Sequence, residues 1–315
     1  MVHTNLSVSP AHSPRMLAVL AVLAVLAVGA FAAACYQGAV ASPSLGGVPS
    51  DEARGGHDDE GGASPQRIEL VLASSTSSYD VYKAAGSPKE PVSVLLVIEP
   101  TVIVGSASPT YPALTTGAFP PGSRVMIRNR GRILGAGGAG GSGGNGGSGG
   151  RPRTCGRDGG RGGVAIVLTV DTEIDNRGEI FGGGGGGGGS SGCNEAAGGG
   201  GGAGSVGGAG GAGATTLSHA AEEAFCGQDN DGRSGAAGTE GTSAEPGEGG
   251  VARSSSGGNG GSFGLPGAHS KECVPDSGGK GGAAGLAIKR NGHKLTGIPD
   301  GPYDTGGGGI RGPVR

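Results

Sequence analysis

Few residues of this chain have types and spacing that could do chemistry, and most lose that reading on inspection. His57-Asp58-Asp59-Glu60 gathers metal-ligating side chains, but consecutive residues rarely converge on one ion, so the stretch reads as a solvated spacer. Gln228-Asp229-Asn230-Asp231-Gly232 has the outline of a calcium loop. Its third ligand position is Arg233 and no Glu closes it, which leaves a plain polar loop. GxGxxG strings arise by chance in glycine tracts, and none follows a βαβ pattern; there is no Walker sequence. His3, His12, His57, His219, His269 and His293 lack ligand spacing, and no Ser/His/Asp or Cys/His arrangement is visible. The sequence therefore reads as a non-enzyme with no cofactor, no catalytic residue and no metal.

Cysteine carries more information. A polar stretch ending in Arg15 precedes Leu17–Ala34, an unbroken run of apolar and small residues, which is a secretory signal pattern. A membrane span is the rival reading of such a run. Ala32-Ala33-Ala34-Cys35 resembles a bacterial lipoprotein box, with Cys35 as the lipidated residue, although the usual Leu three positions before the Cys is missing. Ordinary cleavage after Ala39-Val40-Ala41 is the alternative. Without Cys35, Cys155, Cys193, Cys226 and Cys273 remain, an even set that in an exported protein implies two disulfides of open connectivity. All four sit between glycine tracts, where a bond pins tract ends and is worth about 2–4 kcal/mol.

The elements that must position these residues are unusual. Gly supplies 77 of 315 residues, Trp is absent and aromatics are 3%, so a conventional apolar core for the whole chain cannot be built. Ordering that much glycine is costly, about 0.5–1 kcal/mol each relative to Ala, and only a dense hydrogen-bond lattice offsets it. The net charge of −3 and scattered basic residues give no nucleic-acid footprint.

In Gly135–Gly150 the non-glycine residues are Ala136, Ala139, Ser142, Asn145 and Ser148, a strict period of three. That is the period of a polyproline-II-type helix, neither α-helix nor strand. Ala203, Val206, Ala209, Ala212 and Thr215 keep one such register in Gly198–Thr215, with Ser205 and Ala214 as exceptions. Ser256, Asn259, Ser262 and Leu265, with Phe263 intruding, and Ser277, Lys280, Ala283 and Leu286 repeat it. Gly182–Gly189 carries no side chain at all, while Gly232, Gly235, Gly238 and Gly241 show the inverse pattern, one Gly per turn. Together these predict a hexagonal stack: an all-Gly helix inside, xGG helices around it and a Gxy helix at the rim. In the longest loop, Leu217, Ala221, Ala224 and Phe225 stand at helical spacing.

The predicted organisation is a signal peptide of either type over 1–35 and a disordered linker over 36–66. A β base follows over 67–134, then a glycine-rich polyglycine-II sandwich over 135–286 with a β insert near 164–181, and a C-terminal strand and tail over 287–315. In the base, strands are expected where Ile68, Leu70 and Leu72 alternate, in Pro91–Gly105 broken at Pro100, and at Arg124–Asn129, with a short helix in Tyr79–Ala85. The pattern I-x-N-R-G-x-I-x-G occurs at Ile127–Gly135 and again at Ile174–Gly182, and its Asn and Gly suit a tight hairpin turn with positive φ. Gly162–Ile166 recurs as Ala284–Ile288, followed by Asn291-Gly292 and Leu295, a third, degraded copy. The fold class is thus mainly β/other.

The chain resembles the glycine-rich distal region of phage tail-tip proteins and of the receptor-recognition adhesins that cap long tail fibres. The resemblance rests on Pro91-Val92-Ser93-Val94, Val104-Gly105-Ser106, Pro112–Gly117, Phe119–Ser123, Asn129–Ile133, the second N-x-G-x-I-x-G and Gly281–Ile288, and covers Arg67 to the C-terminus. It implies a sandwich of polyglycine-II helices whose loops at one end select a cell-surface receptor. The export signal departs from the phage pattern. A weaker resemblance is to the Gly-Gly-Ala and Gly-Gly-Asn arrays of mycobacterial surface proteins, which lack the N-R-G turns.

The function so read is an exported surface adhesin, an outer-membrane lipoprotein or a secreted protein, that binds a cell-surface protein or glycan through its inter-tract loops. Candidate contacts are Arg153, Arg157, Asn194, Glu195, Phe225, Asp229, Asn230, His269 and Lys271. The alternatives are a non-binding spacer or matrix protein of the cell envelope and a disordered low-complexity secreted protein.

Overall fold

Alternating aliphatic residues generate a stack of short parallel strands. The computed structural model describes residues 65–144, 155–191, 196–213, 236–252, 255–271, 277–298, 302–303 and 309–315. The signal segment, Cys35, the linker up to residue 64 and the helical spacing near Leu217 lie outside the described residues. Gly62–Arg315 is one compact unit.

The chain visits three sheets in rotation. Its first turn is β1 (Gln66–Leu72), β2 (Thr76–Ser77) and β3 (Tyr79–Asp80), followed by a single helical turn, α1 (Val81–Ala84), capped by the Asp80 side chain. The second turn is β4 (Val92–Ile98), β5 (Ile103–Gly105) and β6 (Leu114–Thr115). β7 (Arg124–Asn129) and β8 (Arg132–Leu134) open the third turn, which closes with β9 (Ile166–Val167). β10 (Thr172–Asn176), β11 (Glu179–Phe181) and β12 (Ile288–Lys289) make the fourth. β13 (Leu295–Thr296), β14 (Pro302–Tyr303) and β15 (Ile310–Pro313) end the chain. The sheets order as β1-β4-β7-β10-β13, β14-β15-β11-β8-β5-β2 and β12-β9-β6-β3, parallel throughout except for β14 on β15.

Register stacks like on like. Leu70, Leu96, Ile127 and Ile174 align in the first sheet, Val104, Ile133, Ile180 and Ile310 in the second, and Leu114, Ile166 and Ile288 in the third. Apart from half-buried Leu70, these side chains are buried in one aliphatic core. Each is worth about 1.5–3 kcal/mol on burial, so the coil has the apolar interior that the glycine-rich part lacks.

The repeated N-R-G is a corner between two sheets and not a hairpin. Asn129, Arg130 and Gly131, like Asn176, Arg177 and Gly178, have no positive φ. Glycine is needed there because the corners stack. A Cβ on Gly131 would stand 2.4 Å from the Val102 carbonyl oxygen, and one on Gly178 2.0 Å from that of Gly131. The Asn residues tie the corners: Asn129 Nδ2 donates to Asn176 Oδ1 (2.7 Å) and to the Glu179 carbonyl (3.2 Å), and Asn129 Oδ1 accepts from Gly131 N–H (3.2 Å). The turn with positive φ occurs in the degraded copy, at Asn291 (50°) and Gly292 (85°).

Between β8 and β9, and between β11 and β12, the chain leaves the coil as extended glycine-rich threads. They run over 135–144, 155–164, 182–191, 196–204, 206–213, 236–242, 245–252, 255–263, 265–271 and 277–287. The thread 182–191 is enclosed. Gly138 N–H reaches Gly184 O (2.9 Å), Gly186 N–H reaches Gly160 O (2.8 Å), and Gly187 N–H reaches Gly200 O (2.8 Å). Gly188 N–H reaches Ala268 O (3.0 Å), Gly258 N–H reaches Gly188 O (2.8 Å), and Gly282 N–H reaches Gly186 O (2.7 Å).

The second enclosed thread, 196–204, corrects the single register expected for Gly198–Thr215. It pairs with 135–144, 182–191, 206–213, 236–242, 245–252 and 255–263. The chain turns at Ser205, whose Oγ accepts from Ser106 N–H and donates to Ser106 O, both 2.8 Å. Ala203 is consequently buried, packed with Leu134, Phe181 and Phe263 where the threads meet the coil. Phe263, an interruption of the sequence period, seals this junction against Phe181 at 5.6 Å between ring centroids.

Candidate functional site

Bonds between thread ends fix which loops share an end. Gly144 N–H reaches Ser190 O (3.0 Å), Ser190 N–H reaches Ala197 O (2.8 Å), and Gly198 N–H reaches Ala236 O (3.0 Å). Gly250 N–H reaches Gly198 O (2.8 Å), Gly257 N–H reaches Gly250 O (2.9 Å), and Ser256 and Lys271 exchange both backbone bonds. Gly156 N–H reaches Ser277 O (3.1 Å), which closes the circuit. The flanks of 145–154, 192–195, 214–235, 253–254 and 272–276 are therefore all at the end away from the coil, while 205, 243–244 and 264 turn at the other.

Backbone pairing holds Arg157 and Lys271, two of the sequence-predicted residues. Arg157 is exposed, with its N–H on Ser142 O (2.9 Å) and its carbonyl accepting from Gly189 N–H (2.9 Å). His269 and Lys271 are exposed on one thread, with Lys271 locked to Ser256. Arg153, Asn194, Glu195, Phe225, Asp229 and Asn230 lie outside the described residues, as do Cys193, Cys226 and Cys273. Cys155 begins the thread 155–164 at this end.

Buried serines that sequence reasoning passed over close the enclosed threads. Ser190 Oγ lies 3.1 Å from Ser255 Oγ and accepts from Ala197 N–H (2.8 Å); Ser191 and Ser277 share a hydroxyl hydrogen bond. Their only sequence signal is Ser190-Ser191 directly after the all-Gly run. A hydroxyl satisfies itself locally where the lattice runs out of backbone partners.

Among the described residues no group of His, Cys, Asp and Glu comes together to hold a metal, and no helix is long and apolar enough to cross a membrane. The pKa shift of note is at Tyr79, whose phenol is raised by burial within the coil. A groove of about 980 Å³ along the coil is of mixed charge, with Arg67, Arg124 and Lys294 beside Asp171 and Glu173. Asp171 Oδ1 there already accepts from Lys294 N–H (2.9 Å) and faces His293.

A family model described as phage tail fibre adhesin Gp38 matches residues 67–314, from β1 to the end of β15. The chain belongs to the phage tail fibre adhesin Gp38 family. A solved structure titled as the gp37-gp38 adhesin tip complex of the bacteriophage S16 long tail fiber is similar at 24% identity. The likeness covers 80% of this chain and 82% of that one, with a TM-score of 0.48. No curated protein matches. Membership of the Gp38 adhesin family makes residues 67–314 an adhesin-like recognition domain, mainly β with a single helical turn among the described residues.

Proposed function

We propose that this Gp38-family protein is an exported surface adhesin that binds a cell-surface protein or glycan through the segments at the far end of its glycine threads. The observation that carries this reading is that the flanks of five connecting segments lie at one end of a hydrogen-bonded lattice. Variable segments on a rigid scaffold are a common design for recognition. Arg153, Arg157, Asn194, Glu195, Phe225, Asp229, Asn230, His269 and Lys271 are the proposed contacts.

In this reading the threads are polyglycine-II helices packed as a sandwich. Support comes from bonds that recur every three residues, as in Gly138, Gly141 and Gly144 to Gly184, Gly187 and Ser190. Cys155, Cys193, Cys226 and Cys273 pair to pin the far end, and the leader exports the protein, either lipid-anchored at Cys35 or released by cleavage after Ala39-Val40-Ala41.

Exchange of 145–154 and 214–235 for Gly/Ser segments of equal length that keep Cys226 tests the proposal. Binding to intact cells or envelope fragments is expected to fall more than about tenfold, since a few contacts carry most binding energy, while circular dichroism stays unchanged. Undiminished binding with both segments exchanged overturns the reading, and no saturable binding by the unmodified protein leaves a structural spacer.

A further inference from the structure

Charge on the lattice is sorted by edge. The two enclosed threads share 135–144 and 255–263 as neighbours, which form the broad faces. One narrow edge is made by 155–164, 277–287 and 265–271, and the other by 206–213, 236–242 and 245–252. Among the described residues of the threads, every basic side chain stands on the first edge: Arg157, Arg161, His269, Lys271 and Lys280, all exposed. The second edge carries Glu240, Glu245 and Glu248, all exposed, and no basic residue among its described residues. Asp158 is the one acid among the described residues of the basic edge, and its Oδ1 accepts from Lys280 N–H (2.7 Å).

The two edges also match in height. One row of bonds crosses the lattice: Gly159 N–H to Lys280 O, Gly186 N–H to Gly160 O, Gly187 N–H to Gly200 O, Gly201 N–H to Thr239 O, and Thr239 N–H to Glu248 O. Lys280 and Glu248 lie on that row, and Arg161 and Glu240 each follow a residue that does. Translation keeps each broad face on its own side, so a sideways shift with no axial component sets Lys280 of one copy against Glu240 of the next and, on the 255–263 side, His269 (level with Lys280 through the bonds of Gly267 to Gly282 and Ser270 to Gly279) against Glu248.

We infer that the protein associates with further copies of itself side by side, basic edge on acidic edge. Translation gives a heterologous contact that does not close, so the product is an open row with all coils at one side. Parallel packing of this kind suits copies standing on one surface. Each pair is exposed and screened, so the association is weak and salt-dependent. A second copy is favoured as the occupant because one molecule supplies both complementary edges in matching register.

Sedimentation velocity on the purified protein tests this. At low salt, about 20 mM, the weight-average mass is expected to rise with concentration, and at about 500 mM it is expected to fall back to the monomer as the Debye length shrinks. Glu240→Lys/Glu245→Lys/Glu248→Lys and, separately, His269→Glu/Lys280→Glu are each expected to remain monomeric at low salt. An equimolar mixture of the two is expected to associate. The idea fails if the unmodified protein is monomeric at every salt and concentration, or if its association ignores either edge variant. It also fails if a sulfated polysaccharide binds the basic edge of a protein that stays monomeric.

Discussion

Gly186→Ala is expected to unfold the glycine lattice. A methyl group there would stand 1.9 Å from the Ala139 carbonyl oxygen, which is backbone of a neighbouring thread and cannot rotate away. Gly186 itself donates to Gly160 O (2.8 Å), and its carbonyl accepts from Gly282 N–H (2.7 Å). Forcing the threads apart breaks bonds on several sides, and each buried unsatisfied group costs about 1–3 kcal/mol, for a total of about 4 kcal/mol or more. Chemical denaturation is expected to show lost cooperativity or insoluble protein. Ala209→Ser, on the exposed side of an outer thread, is the control and is expected to stay within about 0.5 kcal/mol of the unmodified protein. Equal stability of Gly186→Ala and the control would mean that the threads are not in contact.

Asn129→Ala is expected to weaken the coil by about 2–4 kcal/mol, because it removes three hydrogen bonds from a fully buried site. Gly131 N–H and the Glu179 carbonyl lose their side-chain partner, and Asn176 Oδ1 loses its donor. Asn129→Asp keeps the acceptor for Gly131 N–H but not the two donated bonds, so it is expected to recover little. Asn176→Ala, combined with Asn129→Ala, is expected to be less than additive, since the two side chains share one bond. Urea titration of the four proteins checks this, and strict additivity would deny the ladder.

Much of the coil is written in local pattern. Arg124–Asn129 is a strand with the bounds that its alternation suggests, and the apolar stretch before Gly105 breaks around Pro100 into β4 and β5. The Ile residues of I-x-N-R-G-x-I face the core, as their repetition implies. Whether the chain then folds back on one sheet or passes to the next is not local information. N-R-G fits a hairpin and a corner equally, and the stacked neighbour, Gly131 O beneath Gly178, decides. The lattice divides the same way. A period of three indicates thread spacing, and the run Gly182–Gly189 marks an enclosed thread. That Gly198–Gly202 is a second enclosed thread depends on the turn at Ser205, which the unbroken register of Ala203, Val206 and Ala209 conceals. The candidate site reads in the sequence as loops between tracts, and as a binding site it remains a proposal. That five of them leave from one end follows only once the turns at 205, 243–244 and 264 are assigned to the other.

The interior of the glycine-rich half is backbone hydrogen-bonded to backbone, and residue-resolved hydrogen exchange reads those bonds directly. The amides of Gly183–Gly189 are expected to exchange only through global unfolding, as slowly as those of Leu96 and Ile127 in the aliphatic core. Exchange of Gly183–Gly189 at the rate of a free peptide, with Leu96 and Ile127 still protected, would contradict a hydrogen-bonded glycine interior.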